Sequence, residues 1–87
     1  MSRVELVRRA RREVLDLDWP LSDAVIGALG TLVREPQAGH SFRGRLHGLR
    51  SLRVGAYRII YQLDENHRVV RVLAVRHRSV AYMTDPR

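Results

Sequence analysis

The 87-residue chain contains no cysteine and no lysine, and these absences exclude several kinds of chemistry. Without cysteine there are no disulfides and no thiolate metal site, which is compatible with a reducing cytoplasm. The sixteen Lys-plus-Arg positions are all arginine, so no side-chain amine is available to shuttle protons. The N-terminal segment also lacks the apolar run of a signal peptide or membrane span, so we expect a cytoplasmic protein with no membrane partner.

Acidic residues are scarce in the second half of the chain. Residues 1–39 balance six arginines against six acidic residues, whereas residues 40–87 hold ten arginines against three acidic residues. The formal net charge of +7 therefore lies in the second half. Such a one-sided charge predicts a polyanionic partner, most simply a nucleic acid.

The hydrophobic pattern predicts one α+β domain over residues 1–87. Apolar residues at helical spacing predict two antiparallel helices, the first ending near Leu17 and the second running from Leu21 to about Arg34, with Pro20 at the corner. Alternating apolar residues predict strands at 2–6, 49–54, 57–63 and 68–75. We therefore expect two N-terminal helices packed on one face of a four-stranded, mostly antiparallel sheet.

Arginines occupy strand positions that a hydrophobic core does not need. Arginine suits a polyanion because its planar guanidinium binds phosphate through two N–H groups and keeps its charge. Arg58 is the first candidate, since it lies mid-strand on the side opposite the Tyr57–Tyr61 apolar face, on a rigid element. The predicted outward-facing set comprises Arg53, Arg58, Arg71, Arg76 and Arg78.

A second basic run precedes and enters the strand at 49–54. Its members are candidates for positioning the phosphates of an RNA chain, with a merely solvated loop as the alternative. The run comprises Arg43, Arg45, His47, Arg50 and Arg53. No metal site and no cofactor are expected from the sequence.

Several segments in a fixed order resemble the RelE/ParE superfamily of bacterial toxins. They are Arg43-Gly44, the stretch LRVGAYRIIY from Leu52 to Tyr61, and His77-Arg78 followed by Tyr82. The resemblance spans nearly the whole chain and implies a toxin held inactive by an acidic, DNA-binding antitoxin in a hetero-oligomeric complex. The RelE branch implies endonucleolytic cleavage of mRNA on the ribosome, whereas the ParE branch implies inhibition of DNA gyrase.

The resemblance also implies a catalytic cluster for RNA cleavage. Attack by a 2′-hydroxyl needs a base, cations around the phosphorane and an acid for the leaving oxygen. Arg58 matches a catalytic arginine of RelE-like toxins, and Arg78 matches a second. Tyr82 matches a C-terminal tyrosine that stacks on a base or transfers a proton, and its alternative role is an aromatic anchor that packs the C-terminal tail onto the sheet. His77 is the candidate general base, and its alternative role is to shape the strand end by hydrogen bonding to the backbone.

Two departures from the family pattern bear on proton transfer. Leu49 and Ser51 stand near positions where several RelE-like toxins have basic residues, and Arg76 stands where related sequences often have glycine. The sequence therefore favours a ribosome-dependent, metal-independent mRNA endoribonuclease. The alternatives are a ParE-like gyrase inhibitor and a catalytically weak protein of RelE fold that only binds RNA or its antitoxin.

Overall fold

The computed structural model describes residues 1–87, which form two helices and a five-stranded sheet. In chain order the elements are β1 (Arg3–Leu6), α1 (Arg8–Leu15), α2 (Leu21–Arg34), β2 (His40–Ser41), β3 (Arg50–Val54), β4 (Tyr57–Leu63) and β5 (Val69–His77). A short 3₁₀ turn at Gly44–Leu46 lies between β2 and β3. Neither helix combines the length and the apolar character that crossing a membrane requires.

The strands lie in the order β1-β5-β4-β3-β2, and every neighbouring pair is antiparallel except β1 and β5. Strand β5 is thus internal, and four consecutive residues, Val72 to Val75, are buried in it. A strand covered on both faces needs apolar side chains in both directions, which explains its nearly continuous apolar sequence.

Strand β4 supplies a side chain to each of two hydrophobic clusters. Ile59 and Tyr61 face the helices, whereas Ile60 faces the other side of the sheet. The helix-side cluster consists of Ala10, Val25, Leu32, Ile59, Tyr61, Val70, Val72 and Val75. The smaller cluster on the opposite face consists of Leu46, Leu49, Ile60, Leu73, Ala74 and Ala81.

The predicted α+β architecture, with two helices on one face of a mostly antiparallel sheet, is confirmed. The predicted number of strands was wrong by one, because β2 was not foreseen. That strand is only two residues long, and both His40 and Ser41 are exposed. Such a strand carries no alternating apolar pattern, since neither of its side chains enters the core.

The buried Tyr61 hydroxyl fixes the loop that leads from α2 into β2. It donates a hydrogen bond to the Pro36 carbonyl (2.9 Å) and accepts one from the Gly39 amide (2.9 Å). Arg50 adds bonds from its guanidinium to the carbonyls of Gln37 (2.9 Å) and Gly39 (2.6 Å). These contacts place β2 beside β3, although β2 itself has no hydrophobic side chain that packs into the core.

Arginine side chains attach the C-terminal segment to α1 and to the loop before β3. Arg9 of α1 donates to the carbonyl of buried Pro86, and Arg87 donates to the carbonyls of Arg45 and His47, both at 2.8 Å. Arg87 also pairs with Asp85 at 2.7 Å. Hydrogen bonding from Arg87 lowers the pKa of Asp85 from 3.8 to about 2, and the same pairing raises the pKa of Arg87.

Gly39→Ala is expected to destabilise the protein, because an added Cβ would lie 2.6 Å from the Ser51 carbonyl oxygen and 2.8 Å from the Tyr61 hydroxyl. We expect a loss of about 1–3 kcal/mol in the free energy of unfolding. Gly27→Ala is the matched control, since Gly27 is an exposed residue of α2 and nothing lies within 4 Å of the added methyl. It should stabilise the helix by up to about 1 kcal/mol. Urea unfolding measures both, and equal effects of the two substitutions would contradict this account.

The Asp85–Arg87 pair is expected to open in strong acid. Because the folded-state pKa of Asp85 is depressed, its contribution is complete above pH 3.8 and is lost as the pH falls through about 2. Titration of the Asp85 carboxyl, followed by carbon-13 NMR, tests this. The Asp85→Asn variant gives the reference chemical shifts of Arg87 without its partner at neutral pH. Titration of Asp85 at its ordinary value would show that the pair does not persist in solution.

Candidate functional site

The register of β3 and β4 brings two of the predicted arginines together. Arg53 is the direct cross-strand partner of Arg58, and Ser51 is the partner of Ile60. Directly opposed residues in an antiparallel pair point to the same face of the sheet. Arg53, Arg58 and Ser51 therefore lie on the face away from the helices.

These residues border a cleft of about 280 Å³ on that face. Strand β2 and the start of the following loop form one wall, and Tyr82 from the C-terminal segment contributes to another. The complete lining is His40, Ser41, Phe42, Ser51, Arg53, Arg58 and Tyr82. The lining contains two guanidinium groups and no carboxylate, so the cleft is suited to an anion.

Arg58 and Tyr82 are in direct contact in the cleft. Arg58 Nε donates to the Tyr82 hydroxyl oxygen at 3.0 Å, and Arg58 Nη1 donates to the Tyr57 carbonyl at 3.2 Å. The hydroxyl also lies 3.3 Å from Ser51 Oγ, and the Tyr82 ring meets Phe42 edge-on at a centroid distance of 5.1 Å. Two bonds thus orient the Arg58 guanidinium and leave Arg58 Nη2 free for a ligand.

No acidic side chain neutralises either arginine of the cleft. The ion pairs of the protein join Arg3 to Glu5, Arg76 to Glu13 and Arg87 to Asp85. Arg53 makes one long hydrogen bond, from Nε to the Gly55 carbonyl at 3.4 Å, and is otherwise exposed. Both cations are therefore available to an incoming polyanion.

The structure does not bring His77 into the cleft. His77 is the cross-strand partner of Tyr57, which packs against the helix-side cluster, and the two rings meet edge-on at 5.5 Å. Its Nδ1 accepts a hydrogen bond from the Ser79 amide at 3.1 Å and lies 2.8 Å from Ser79 Oγ. An accepting Nδ1 places the proton of the neutral ring on Nε2, and the contact shapes the end of β5.

Arg78 lies just beyond the paired ends of β4 and β5. Its amide donates to the Ala56 carbonyl at 2.7 Å, which extends the pairing by one residue. The side chain is exposed and is not part of the cleft lining. Arg78 is thus near the strand that carries Arg58 without sharing its cleft.

The basic run divides into two groups. Arg43, His47 and Arg50 border a second hollow of about 390 Å³ that shares Ser41 and Phe42 with the cleft, and Arg45 is exposed in the 3₁₀ turn. Arg50 is half-buried, and its hydrogen bonds to loop carbonyls hold it in place. Arg43, Arg45 and His47 leave their side chains exposed beside the second hollow.

Arg76 is the cross-strand partner of Arg58, so its strand position is on the outward face as alternation predicts, but it is not a free cation. Its side chain is only 14% exposed, and its Nε lies 3.6 Å from a carboxylate oxygen of Glu13. The other Glu13 oxygen accepts the Val75 amide at 3.0 Å, on the edge of β5 that extends beyond β1. No local pattern predicts this contact, because it joins a helix position to a strand residue 62 positions away.

Four residues of the cleft were not identified from the sequence: His40, Ser41, Phe42 and Ser51. Ser51 alone had a usable signal, since it occupies an outward strand position two residues before Arg53. His40, Ser41 and Phe42 enter the cleft only because β2 pairs with β3. No group of His, Asp and Glu side chains is arranged to hold a metal ion.

Comparisons with known proteins agree with this architecture. The family model for the ParE toxin of type II toxin-antitoxin systems, parDE, matches residues 4–82. Toxin RelG of Mycobacterium tuberculosis is 38% identical over 81 residues, covering 91% of this chain and 93% of the relative. Toxin RelE of the same organism is 31% identical over 85 residues, covering 95% of this chain and 88% of the relative.

A solved structure extends the likeness to three dimensions. The crystal structure of the toxin-antitoxin complex RelBE2 from Mycobacterium tuberculosis matches with a TM-score of 0.76 at 38% identity. The match covers 85% of this chain and 94% of that chain. Family, relatives and fold agree: the chain belongs to the ParE family and is a RelE-like toxin of a type II toxin–antitoxin system.

Proposed function

We propose that this toxin is a ribosome-dependent mRNA endoribonuclease that cleaves by attack of a ribose 2′-hydroxyl on the adjacent phosphate. The observation that carries the proposal is the cleft in which Arg53, Arg58 and Tyr82 meet without a carboxylate. A nuclease of this kind needs no protein nucleophile and no metal ion, only charge stabilisation and proton transfer.

Arg58 is assigned to the phosphate. When the 2′-oxygen bonds to phosphorus, negative charge builds on the non-bridging oxygens, and a guanidinium already fixed by two hydrogen bonds stabilises it without reorganising. Arg53, its cross-strand partner, supplies a second cation on the same face. Arg43, Arg45 and His47 are assigned to the flanking phosphates of the message, where charge rather than geometry is decisive.

Tyr82 is assigned to proton donation toward the leaving 5′-oxygen. Its hydroxyl oxygen already accepts a hydrogen bond from Arg58, so its own proton is available to another oxygen. His77 is assigned to the strand end, because its Nδ1 is occupied by Ser79 and its ring lies on the helix side. Arg78 is assigned to binding beside the cleft rather than to the reacting phosphate.

The proposed partner is a cognate acidic, DNA-binding antitoxin that forms a hetero-oligomeric complex with the toxin. Support comes from the charge of +7 on this chain and from the RelBE2 neighbour, which is itself a toxin-antitoxin complex. An acidic segment that covers the arginine face would block the cleft by charge complementarity.

A second candidate function is inhibition of DNA gyrase, because the matching family model is that of ParE toxins. Such an inhibitor would act by binding gyrase. It would catalyse no reaction, so it would not require the Arg58 guanidinium and the Tyr82 hydroxyl to be held together. The two candidates therefore differ in whether removal of single groups in the cleft abolishes toxicity.

Arg58→Ala is expected to lower the rate of message cleavage on programmed ribosomes by at least about 100-fold, the usual effect of losing one preorganised charge-stabilising donor. Mapping of mRNA 3′ ends after addition of purified toxin measures the rate and the position of cleavage. Arg71→Ala is the matched control, because Arg71 is an exposed arginine of β5 outside the cleft. Intact message with wild-type toxin, together with inhibition of gyrase supercoiling, would favour the second function.

Tyr82→Phe keeps the aromatic ring and removes the hydroxyl, so it separates proton donation from base stacking. We expect it to slow cleavage by about 100-fold, within the range for loss of a general acid, with little change in KM. His77→Phe should keep most of the activity, since His77 lies outside the cleft. Single-turnover cleavage on ribosomes measures both, and full activity of Tyr82→Phe would transfer the role of Tyr82 to stacking.

A further inference from the structure

We propose that His40 is the general base that takes the proton from the attacking 2′-hydroxyl, an inference that rests on the proposed nuclease function. His40 lies in β2, the strand that was not foreseen from the sequence. It borders the same cleft as Arg53, Arg58 and Tyr82. A histidine is suited to this step because its unperturbed pKa, about 6.5, lies close to physiological pH.

The strand register places the His40 side chain on the face of the sheet away from the helices, which also carries Arg53 and Arg58. His40 is the direct antiparallel partner of Ser51, so the two Cβ atoms lie on one face, about 4.5–5.5 Å apart. Ser51 Oγ is in turn 3.3 Å from the Tyr82 hydroxyl. His40 is therefore one strand away from Ser51, and Ser51 contacts Tyr82, the proposed proton donor.

The alternatives to His40 are few. The chain has no lysine, and the cleft lining contains no carboxylate. His77 faces the helix side and its Nδ1 is engaged by Ser79. His47 and His67 border the second hollow, and His67 Nδ1 is bonded to Gln37 at 3.0 Å.

The His40 ring is free to react. It is exposed and makes no hydrogen bond within the protein, unlike the rings of His67 and His77. The charged and titratable groups that share its cleft are Arg53, Arg58 and Tyr82.

The reaction balances with these groups. The imidazole nitrogen of His40 takes the 2′-hydroxyl proton while the 2′-oxygen forms its bond to phosphorus. The bond from phosphorus to the 5′-oxygen breaks, and Tyr82 gives its hydroxyl proton to that oxygen. The products are a 2′,3′-cyclic phosphate and a 5′-hydroxyl, and His40 and Tyr82 then return to their starting states by exchange with water.

The test is the pH dependence of single-turnover cleavage on programmed ribosomes with His40→Gln and His40→Lys. We expect His40→Gln to lose about 100-fold at neutral pH, within the range for removal of a general base, and to lose the acidic limb of the rate profile. His40→Lys should recover cleavage only at alkaline pH, because the ordinary pKa of a lysine amine is about 10.4. His67→Asn is the control, since asparagine tolerates the positive φ of 56° at that turn, and its profile should be that of the wild type.

Several outcomes decide the matter. A His40→Gln protein that cleaves at the wild-type rate with the same acidic limb would overturn the assignment while leaving the nuclease function intact. Absence of cleavage by the wild-type toxin would refute the nuclease function itself. If His40→Gln melts at a lower temperature than the wild type, its slower cleavage could come from loss of folded protein. Nitrogen-15 NMR of the His40 ring in the wild-type toxin then tests whether the ring contacts RNA. Titration with a short RNA carrying one 2′-deoxy nucleotide should shift that signal together with the side-chain signal of Arg58, and a shift of the Arg58 signal without a shift of the His40 signal would overturn the inference.

Discussion

The alternation of side chains along β4 is the constraint on which both the core and the cleft depend. Ile59 and Tyr61 point to the helices, whereas Arg58 and Ile60 point to the other face. Because side chains alternate with a period of two, a slip of one residue would move Arg58 into the apolar core. The packing of the helices therefore fixes the position of Arg58, although Arg58 lies on the face away from the helices.

Tyr61 couples this core to the site more directly. Its ring belongs to the helix-side cluster, and its hydroxyl holds the backbone on both sides of the turn from Pro36 to Gly39. That turn delivers β2 to the sheet edge. One buried side chain thus connects hydrophobic packing with the wall of the cleft that carries His40 and Phe42.

Much of the architecture was predictable because it depends on local patterns. The helix break at Pro20 and the alternation from Tyr57 to Leu63 are local signals, and both matched the structure. The adjacency of Arg53 and Arg58 was not predicted, although the short turn at Gly55 between the two strands is a local signal of the same kind.

The features that were missed depend on contacts between distant parts of the chain. The pairing of β2 has too few residues to leave a pattern, and the pairing of Glu13 with Arg76 crosses most of the sequence. His77 and Arg78 were placed in the correct part of the fold. The side to which the His77 ring turns was set by its Tyr57 and Ser79 partners, which periodicity cannot identify.

The parallel pairing of β1 with β5 has a consequence for the order of events during synthesis. Arg3 of β1 pairs with Val69 of β5, so β1 leaves the ribosome long before the strand with which it pairs. Pairings between such distant residues form slowly, because a long loop must close first. Tyr82 follows later still. A chain that has not yet been synthesised through Tyr82 therefore has neither its complete sheet nor its complete cleft, and both appear together when the C-terminal segment docks.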